Sequence, residues 1–337
     1  MVKKKVTIKD VAHHSGVSIA TVSQILNGNE DKFSSKTVEK VLTAKNELGY
    51  QADYFARQMI TKETKTIGVL VPDITNPFFN LLMRGIEEIL YQQHFVTILC
   101  NADSNQQKEV QYLSELTRRG VDGFIIASSA ISTQAIKEDL QQQGRPFIVL
   151  DQKKAEDFSD SVRTDDFRGG YLAGTHLFSL RHQQVALVYP ENPPANVQER
   201  IEGFKSAADA YQIDYNQLLL IPTAFSKQGG YQITNQIVAS EATAIFALND
   251  ELAFGLYRGL EELGKKIPDD YSIIGYDNVD MSEYVKPKLT TIAQPIFELG
   301  QEAAKLLLER IQHPEKNQEE KLLPVHLEKR FSTAPLK

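Results

Sequence analysis

Residues 7–27 constrain the fold of this chain most strongly, because they carry the start and stop signals of two short, successive helices. Thr7 is an N-cap residue, and Asp10 places a carboxylate near the positive end of the same helix. Gly16 interrupts the apolar pattern, and Ser18 is a second N-cap residue. Helices this short are not stable alone, so we expect them to pack across each other at a steep angle.

The second predicted helix has an apolar face for packing and a slim, uncharged face for solvent. The outer face consists of Ile19, Ala20, Thr21, Ser23 and Gln24. Such a face fits the major groove of DNA, where Gln, Thr and Ser bond to base edges and Ile or Ala contacts thymine methyl groups. The alternative is an ordinary αα-hairpin in a core. The coincidence of cap spacing, tight turn and small polar face favours DNA binding.

These residues resemble the headpiece of the lactose-repressor family of bacterial transcription regulators, whose pattern is V-T-I-x-D-V-A followed by G-V-S-x-x-T-V-S-x-x-L-N. The match runs through residues 6–27. Gln24 departs from it, because many members carry Arg there, and this departure bears on which operator sequence is read. The resemblance implies a DNA-contacting set of Thr7, Ser18, Ile19, Ala20, Thr21, Ser23, Gln24 and Asn27.

Charge is distributed unevenly along the 337 residues. The formal net charge is −7, which alone argues against nucleic-acid binding. Residues 1–62, however, hold ten basic and six acidic side chains, so their net charge is +4 and the remaining 275 residues carry −11. A small basic head on a larger acidic body is the asymmetry expected when only the head meets phosphate.

Several classes of protein are disfavoured by what the sequence lacks. Cys100 is the single cysteine, so we expect no intramolecular disulfide and no cysteine-clustered metal site. There is no apolar leader and no run of membrane-spanning length, which predicts a cytoplasmic protein without membrane contact and argues against a transport receptor. No G-x-S-x-G, P-loop, G-x-G-x-x-G or H-E-x-x-H motif is present. We therefore expect no enzymatic activity, no cofactor and no metal.

From residue 67 the pattern changes to buried strands that alternate with amphipathic helices, which is typical of a parallel α/β sheet. The predicted strands are 67–71, 96–100, 123–127, 147–150, 185–188, 218–221, 244–247, 273–275 and 290–293, with a last strand at 323–327. Two runs of strand–helix units meet near residues 160–163. This arrangement predicts two doubly wound lobes with a cleft between them.

The family resemblance extends over this body and implies a fold like that of the periplasmic sugar-binding proteins, with two lobes joined by three crossovers. It divides the chain into a helix-turn-helix headpiece (1–49), a hinge helix and linker (50–65) and a sugar-binding core (66–337). Within the core, the predicted first lobe spans 66–162 and 292–322. The predicted second lobe spans 163–291 and 323–337.

Polar and aromatic residues follow the predicted strands at the ends that face a cleft in open α/β sheets. The candidate effector site consists of Asn76, Phe78, Phe79, Asp151, Gln152, Arg200, Phe225, Asn249, Asp277 and Gln294. Aromatic faces suit the C–H side of a sugar ring, and bidentate polar groups suit vicinal hydroxyls. Each residue has a structural alternative as a helix cap, core residue or turn, but their shared position at strand ends favours a sugar site.

These positions also resemble, one by one, those of ribose-binding proteins and ribose repressors, which implies D-ribose as the first choice of effector. Gln152 departs from the pattern, because those sugar binders often carry Arg or an aromatic residue there. A different sugar is therefore one alternative. The other is a carbon-catabolite regulator of the same family that responds to a phosphorylated carrier protein.

Residues 50–60 resemble the hinge helix of the family, Y-x-P-x-x-x-A-R-x-L. The matching positions are Tyr50, Ala56 and Arg57, whereas Met59 stands in place of Leu and Ala52 in place of Pro. The resemblance implies that this helix enters the minor groove of a palindromic double-stranded operator, where an apolar wedge separates base pairs. Two hinges must then lie side by side, so we expect a homodimer. The alternative is a disordered linker.

Overall fold

The computed structural model describes residues 6–51, 63–128, 132–150, 159–215 and 218–337. The chain forms two compact units that divide between Thr64 and Lys65. We describe each unit separately, as the headpiece and the core. In the described part of the chain, no helix is both long and apolar enough to cross a membrane.

Within residues 6–51 the headpiece has the α-helices α1 Ile8–Ser15, α2 Ile19–Leu26 and α3 Ser35–Leu48. The predicted caps of the first two helices are confirmed. The Asp10 carboxylate accepts hydrogen bonds from the backbone N–H and the hydroxyl of Thr7, at 2.8 and 2.7 Å. Ser18 Oγ accepts from the backbone N–H of Thr21 at 3.1 Å. Gly16 adopts the left-handed conformation (φ +69°) that ends α1, where a side chain would be strained.

The core contains two six-stranded sheets. Its strands are β1 Thr66–Val71, β2 Val96–Asn101, β3 Gly123–Ile126, β4 Phe147–Leu150, β5 Asp160–Thr164, β6 Val185–Pro190, β7 Leu219–Thr223, β8 Ala244–Ala247, β9 Ser272–Asp277, β10 Thr290–Ala293, β11 Glu320–Leu323 and β12 His326–Glu328. The strand orders are β11-β5-β4-β3-β1-β2 and β12-β10-β9-β8-β6-β7. All neighbouring pairs are parallel except β10 and β12. The predicted architecture of two parallel-sheet lobes is confirmed.

Helices cover both sheets. They are α4 Pro77–Gln92, α5 Gln106–Arg118, α6 Thr133–Ile136, α7 Asp166–Ser179, α8 Ala195–Ala210, α9 Lys227–Gln232, α10 Thr234–Val238, α11 Asp250–Glu262 and α12 Ile296–Gln312. We call the first sheet with α4–α6 and α12 lobe one, and the second sheet with α7–α11 lobe two. The apolar faces of these helices pack on the sheets as separate cores, as the alternation of patterns predicted.

The chain crosses between the lobes after Thr164, Ala293 and Leu323. The predicted lobe boundaries lie one or two residues earlier, and β5, which ends at the first crossover, was not among the predicted strands. The prediction of a single last strand over residues 323–327 is wrong. Pro324 separates two strands, β11 in the first sheet and β12 in the second, and proline has no N–H to continue a ladder.

Glycines bring α7 and α8 into unusually close contact. A Cβ on Gly170 would lie 1.9 Å from the backbone oxygen of Arg200, and one on Gly203 would lie 1.9 Å from that of Phe167. Side chains at these two positions would therefore force the helices apart. This approach places the first residue of α7, Asp166, within reach of Arg200 on α8.

Candidate functional site

The outer face of α2 is available to a partner. Ile19, Ala20 and Gln24 are exposed, and Ile19 retains 45% of its accessible surface. On the opposite face Val22 and Ile25 are buried in the headpiece core. Of the other predicted DNA contacts in the headpiece, Thr7, Ser18 and Asn27 are exposed and Thr21 and Ser23 are half-buried. The structure therefore presents the slim polar face that the sequence predicted.

Tyr50 differs from the prediction. Its side chain retains only 9% of its accessible surface and packs in the headpiece core with Val11, Val41 and Ala44. We therefore assign Tyr50 to the core and remove it from the contact surface. The other predicted hinge residues, Ala56, Arg57 and Met59, lie outside the described residues.

A cleft of about 660 Å³ opens at the carboxyl ends of the strands in the core. It is lined from both lobes, and seven of the predicted effector residues contribute to it: Asn76, Phe78, Phe79, Arg200, Phe225, Asn249 and Asp277. Of the other three, Gln294 lies behind Asp277 and contacts it. Asp151 and Gln152 lie outside the described residues.

Lobe one contributes a polar cap and two aromatic rings from the start of α4. Asn76 is the N-cap residue, and its Oδ1 accepts from the backbone N–H of Phe78 at 2.9 Å. The rings of Phe78 and Phe79 lie 5.1 Å apart in an edge-to-face arrangement and are largely buried. The cap therefore fixes the turn of helix that aims these rings.

Asn249 at the end of β8 contributes a buried amide to the cleft. Its Oδ1 caps α11 by accepting from the backbone N–H of Leu252 at 2.8 Å. Its Nδ2 is buried and has no hydrogen-bond partner among the described residues. Because a buried amide without a partner is costly, this group is placed for an acceptor supplied by a ligand.

Asp277 ends β9 in a strained backbone conformation. Its φ is +115°, and that of the next residue, Asn278, is +60°. Non-glycine residues with positive φ are uncommon and cluster at ligand sites. The turn is held by the buried Asp250, which accepts from the backbone N–H of Val279 at 2.9 Å and from the Ser282 hydroxyl at 2.7 Å. Burial raises the pKa of Asp250, although these hydrogen bonds oppose the shift.

Arg200 is the buried cation of the site. Its Nε donates to Asp166 Oδ1 at 2.7 Å, and its Nη1 donates to the backbone oxygen of Leu248, also at 2.7 Å. The Tyr276 ring lies 3.6 Å from the guanidinium carbon, and the Tyr276 hydroxyl donates to Asp166 at 2.9 Å. Arg200 Nη1 is 3.9 Å from Asp277 Oδ1. The guanidinium is therefore held in one orientation, as recognition of neighbouring hydroxyls requires.

The site also contains residues that are not among those predicted from the sequence. Asp73, Ser104, Asn192 and Asn196 also line the cleft. Asp73 follows β1, so the rule used for the other strand ends would have found it. Asp166, in contrast, carries no local signal, because its partners Arg200 and Tyr276 are 34 and 110 residues away.

Two family models match the chain. One, described as bacterial regulatory proteins of the lacI family, matches residues 7–53. The other, described as periplasmic binding proteins and the sugar binding domain of the LacI family, matches residues 64–331. Among curated proteins, the HTH-type transcriptional regulator DegA of Bacillus subtilis is 37% identical over 335 residues, which cover 98% of this chain and 99% of DegA.

Solved structures of transcription regulators also resemble this chain. A LacI family transcriptional regulator from Enterococcus faecium with bound ribose is 77% identical, with a TM-score of 0.78, over 81% of this chain and all of that one. The lac repressor dimer bound to operator and the anti-inducer ONPF is 29% identical, with a TM-score of 0.87, over 98% of this chain and all of that one.

Proposed function

The chain belongs to the lacI family of bacterial regulatory proteins, and on that basis we propose that it is a repressor released from operator DNA by D-ribose. The choice of a sugar effector rests on the side chains that line the cleft. The cleft brings together the fixed guanidinium of Arg200, the carboxylate of Asp277 and the amide of Asn249, whose buried N–H group has no partner among the described residues. The aromatic rings of Phe78 and Phe79 lie in the same cleft. The ribose bound to the relative that is 77% identical supports the same choice.

In this proposal the two lobes hold different parts of the sugar. Arg200, Asn249 and Asp277 of lobe two bond to the hydroxyls, because together they supply donors and an acceptor within one small volume. Phe78 and Phe79 of lobe one cover the C–H faces of the ring. We also propose that Asn76, Asp151, Gln152, Phe225 and Gln294 complete the site.

The headpiece would read DNA through the outer face of α2. We propose that α2 enters the major groove and that Ser18, Thr21 and Gln24 contact base edges or phosphates. The hinge contacts Ala56, Arg57 and Met59 stay a prediction from the sequence. The lac repressor, whose structure resembles this chain over nearly its whole length, is a dimer on its operator. We accordingly propose a homodimer on a palindromic site.

Regulation then requires only that the sugar prefer the conformation that does not bind DNA. Typical couplings between two such sites are about 1–3 kcal/mol, which corresponds to a roughly 5- to 150-fold change in affinity. In the proposed role the protein binds DNA and a sugar and catalyses no reaction. Because its DNA target is chromosomal, we propose that the protein acts in the cytoplasm. The predicted boundaries of headpiece, hinge and core remain part of this proposal.

The test is operator binding by the purified full-length protein. Sites are first selected from a pool of palindromic DNA duplexes with randomised half-sites, and binding of the selected site is then followed by fluorescence anisotropy. We expect D-ribose to weaken binding at least fivefold, while D-xylose, D-glucose and D-galactose do not. Tight DNA binding that no sugar changes would contradict the proposed effector and favour a phosphorylated carrier protein. If ribose strengthened operator binding, ribose would be a corepressor, and the proposed release of DNA by ribose would be wrong.

A further inference from the structure

Thr164 lies where the chain leaves lobe one for the first time. It is the last residue of β5, immediately before the first crossover to lobe two, and its side chain is fully buried. Its Oγ1 lies 2.7 Å from Gln294 Oε1 and 3.1 Å from Asp166 Oδ2. One hydroxyl therefore meets two oxygen atoms, one on each of the first two crossovers.

The hydroxyl has a single proton, so it can donate to only one of these oxygens at a time. The orientation of the Gln294 amide decides which. Gln294 Nε2 donates to Asp277 Oδ1 at 2.7 Å, and because an ionised carboxylate only accepts, the amide oxygen must point towards Thr164. The Thr164 hydroxyl oxygen also lies closer to Gln294 Oε1, at 2.7 Å, than to Asp166 Oδ2, at 3.1 Å. The proton therefore belongs to Gln294.

The resulting chain of bonds runs from the crossovers into the cleft. Thr164 lies at the first crossover and orients Gln294 at the second, and Gln294 in turn holds the Asp277 carboxylate. The backbone supports the same path, because Gln294 N–H donates to Asp277 O at 3.3 Å. A displacement of the lobes at the crossovers would therefore change the position of the carboxylate.

We propose that Thr164 is a positioning residue for the sugar site, whose hydroxyl orients the Gln294 amide and thereby the Asp277 carboxylate. Through this bond the first two crossovers and the cleft share one hydrogen-bonded unit. The inference rests on the proposed function, since it assigns to Thr164 a part in binding the sugar and in transmitting its presence to the crossovers.

Substitution by valine removes the hydroxyl and keeps the branched shape. In T164V the Gln294 oxygen would be buried without this donor, so the amide would rotate and the Asp277 carboxylate would lose its bond from Gln294 Nε2. We expect a loss of D-ribose affinity of about tenfold or more. T164S retains the hydroxyl and should stay within about threefold of the wild type.

A matched control is T234V. Thr234 is also buried in the core, and its hydroxyl oxygen lies 2.9 Å from the backbone oxygen of Tyr231 and 3.2 Å from that of Gly230, but it does not line the cleft. The substitution removes a buried hydroxyl of the same kind without touching the crossovers. Ribose affinity close to that of the wild type in T234V would show that loss of a buried threonine hydroxyl is not itself sufficient.

The experiment combines calorimetric titration of the full-length protein with D-ribose and amide hydrogen exchange without sugar. We expect T164V, but neither T164S nor T234V, to bind ribose weakly and to exchange faster at the Asp165 and Gln294 amides. Ribose binding by T164V within twofold of the wild type, or equal loss in T164S, would overturn the inference. If the wild type binds no ribose, the proposed effector is wrong. Amide exchange of the wild type, T164V, T164S and T234V without sugar then tests the role of Thr164. If the Asp165 and Gln294 amides of T164V are protected as in the wild type, Thr164 is not a positioning residue.

Discussion

The two sides of the cleft are built in different ways. Among the described residues, lobe two supplies a network in which Arg200, Asp166 and Tyr276 bond to one another, and Gln294 at the second crossover holds Asp277. Lobe one supplies two aromatic rings and a helix cap. A network of buried charges binds only what matches it, whereas aromatic rings accept many apolar surfaces. We infer that lobe two contributes most of the specificity of the proposed sugar site and that the described aromatic residues of lobe one contribute mainly coverage.

The largest effect expected from this comparison is that of R200K. Lysine lacks the planar fork, so it cannot bond to Asp166 and Leu248 while facing the cleft. Each hydrogen bond to a charged group contributes about 1.5–3 kcal/mol, so D-ribose affinity measured by calorimetry should fall at least 100-fold.

The control for R200K is R258K, which alters an exposed arginine on α11 that pairs with Glu262. It should leave ribose affinity unchanged. If R200K bound ribose within about fivefold of the wild type, the fixed guanidinium would not be the basis of specificity.

A smaller effect is expected on the lobe-one side. F78L keeps an apolar side chain at the start of α4 but removes the aromatic face from the cleft. Aromatic contacts contribute about 0.5–1.5 kcal/mol beyond their area, so ribose affinity should fall about threefold to tenfold. F95L, a buried substitution in the same lobe away from the cleft, is the control. A loss in F78L as large as that in R200K would break the distinction between the lobes.

Lobe two should also respond to pH through His176, whose Nε2 lies 2.9 Å from the Thr333 hydroxyl. Burial, with Lys329 and His182 nearby, lowers the pKa of His176 from 6.5 to about 4. The unfolded state therefore binds the proton more readily, so this contribution to stability is complete above pH 6.5 and is lost as the pH falls towards 4. It should amount to about 1 kcal/mol between pH 7.5 and 5.5.

The measurement is urea unfolding of the wild type and H176Q at both pH values. H176Q should lose less stability on acidification than the wild type. Asp250 has the opposite sign, because burial raises its pKa and its contribution increases as the pH falls. That contribution is common to both proteins and cancels in their difference. Parallel losses in both would show that His176 is not responsible.

The smallest effect is expected for E202Q. Glu202 pairs with Lys205 at 2.9 Å on α8, the same helix that carries Arg200, but its side chain is 60% exposed. Exposed ion pairs contribute about 0–1 kcal/mol, so neither urea stability nor ribose affinity should change measurably. A clear loss of ribose affinity would mean that charge anywhere on α8, rather than the buried network, governs binding.

The features that the sequence predicted have local causes. Thr7, Gly16 and Ser18 define their helices through contacts with residues three or four positions away, and parallel strands bring residues such as Asn249 and Asp277 to one edge. The features it missed depend on distant partners. Strand β5 has a mostly polar sequence, and its Asp160 is buried in hydrogen bonds with the Arg310 side chain and the Glu319 backbone N–H, about 150 residues away. Tyr50 matched a hinge motif, but the three-dimensional core of the headpiece decides its position.

The most direct test of the account is a pair of crystal structures of this protein, one without sugar and one with D-ribose. We predict ribose between Arg200, Asn249 and Asp277. The bonds from Arg200 to Asp166 and from Gln294 to Asp277 should stay within about 0.3 Å of their lengths without sugar, while lobe one moves relative to lobe two. Such a result would establish that lobe two is formed before the sugar binds. A network that assembles only in the ribose complex, or ribose bound outside this cleft, would contradict the account.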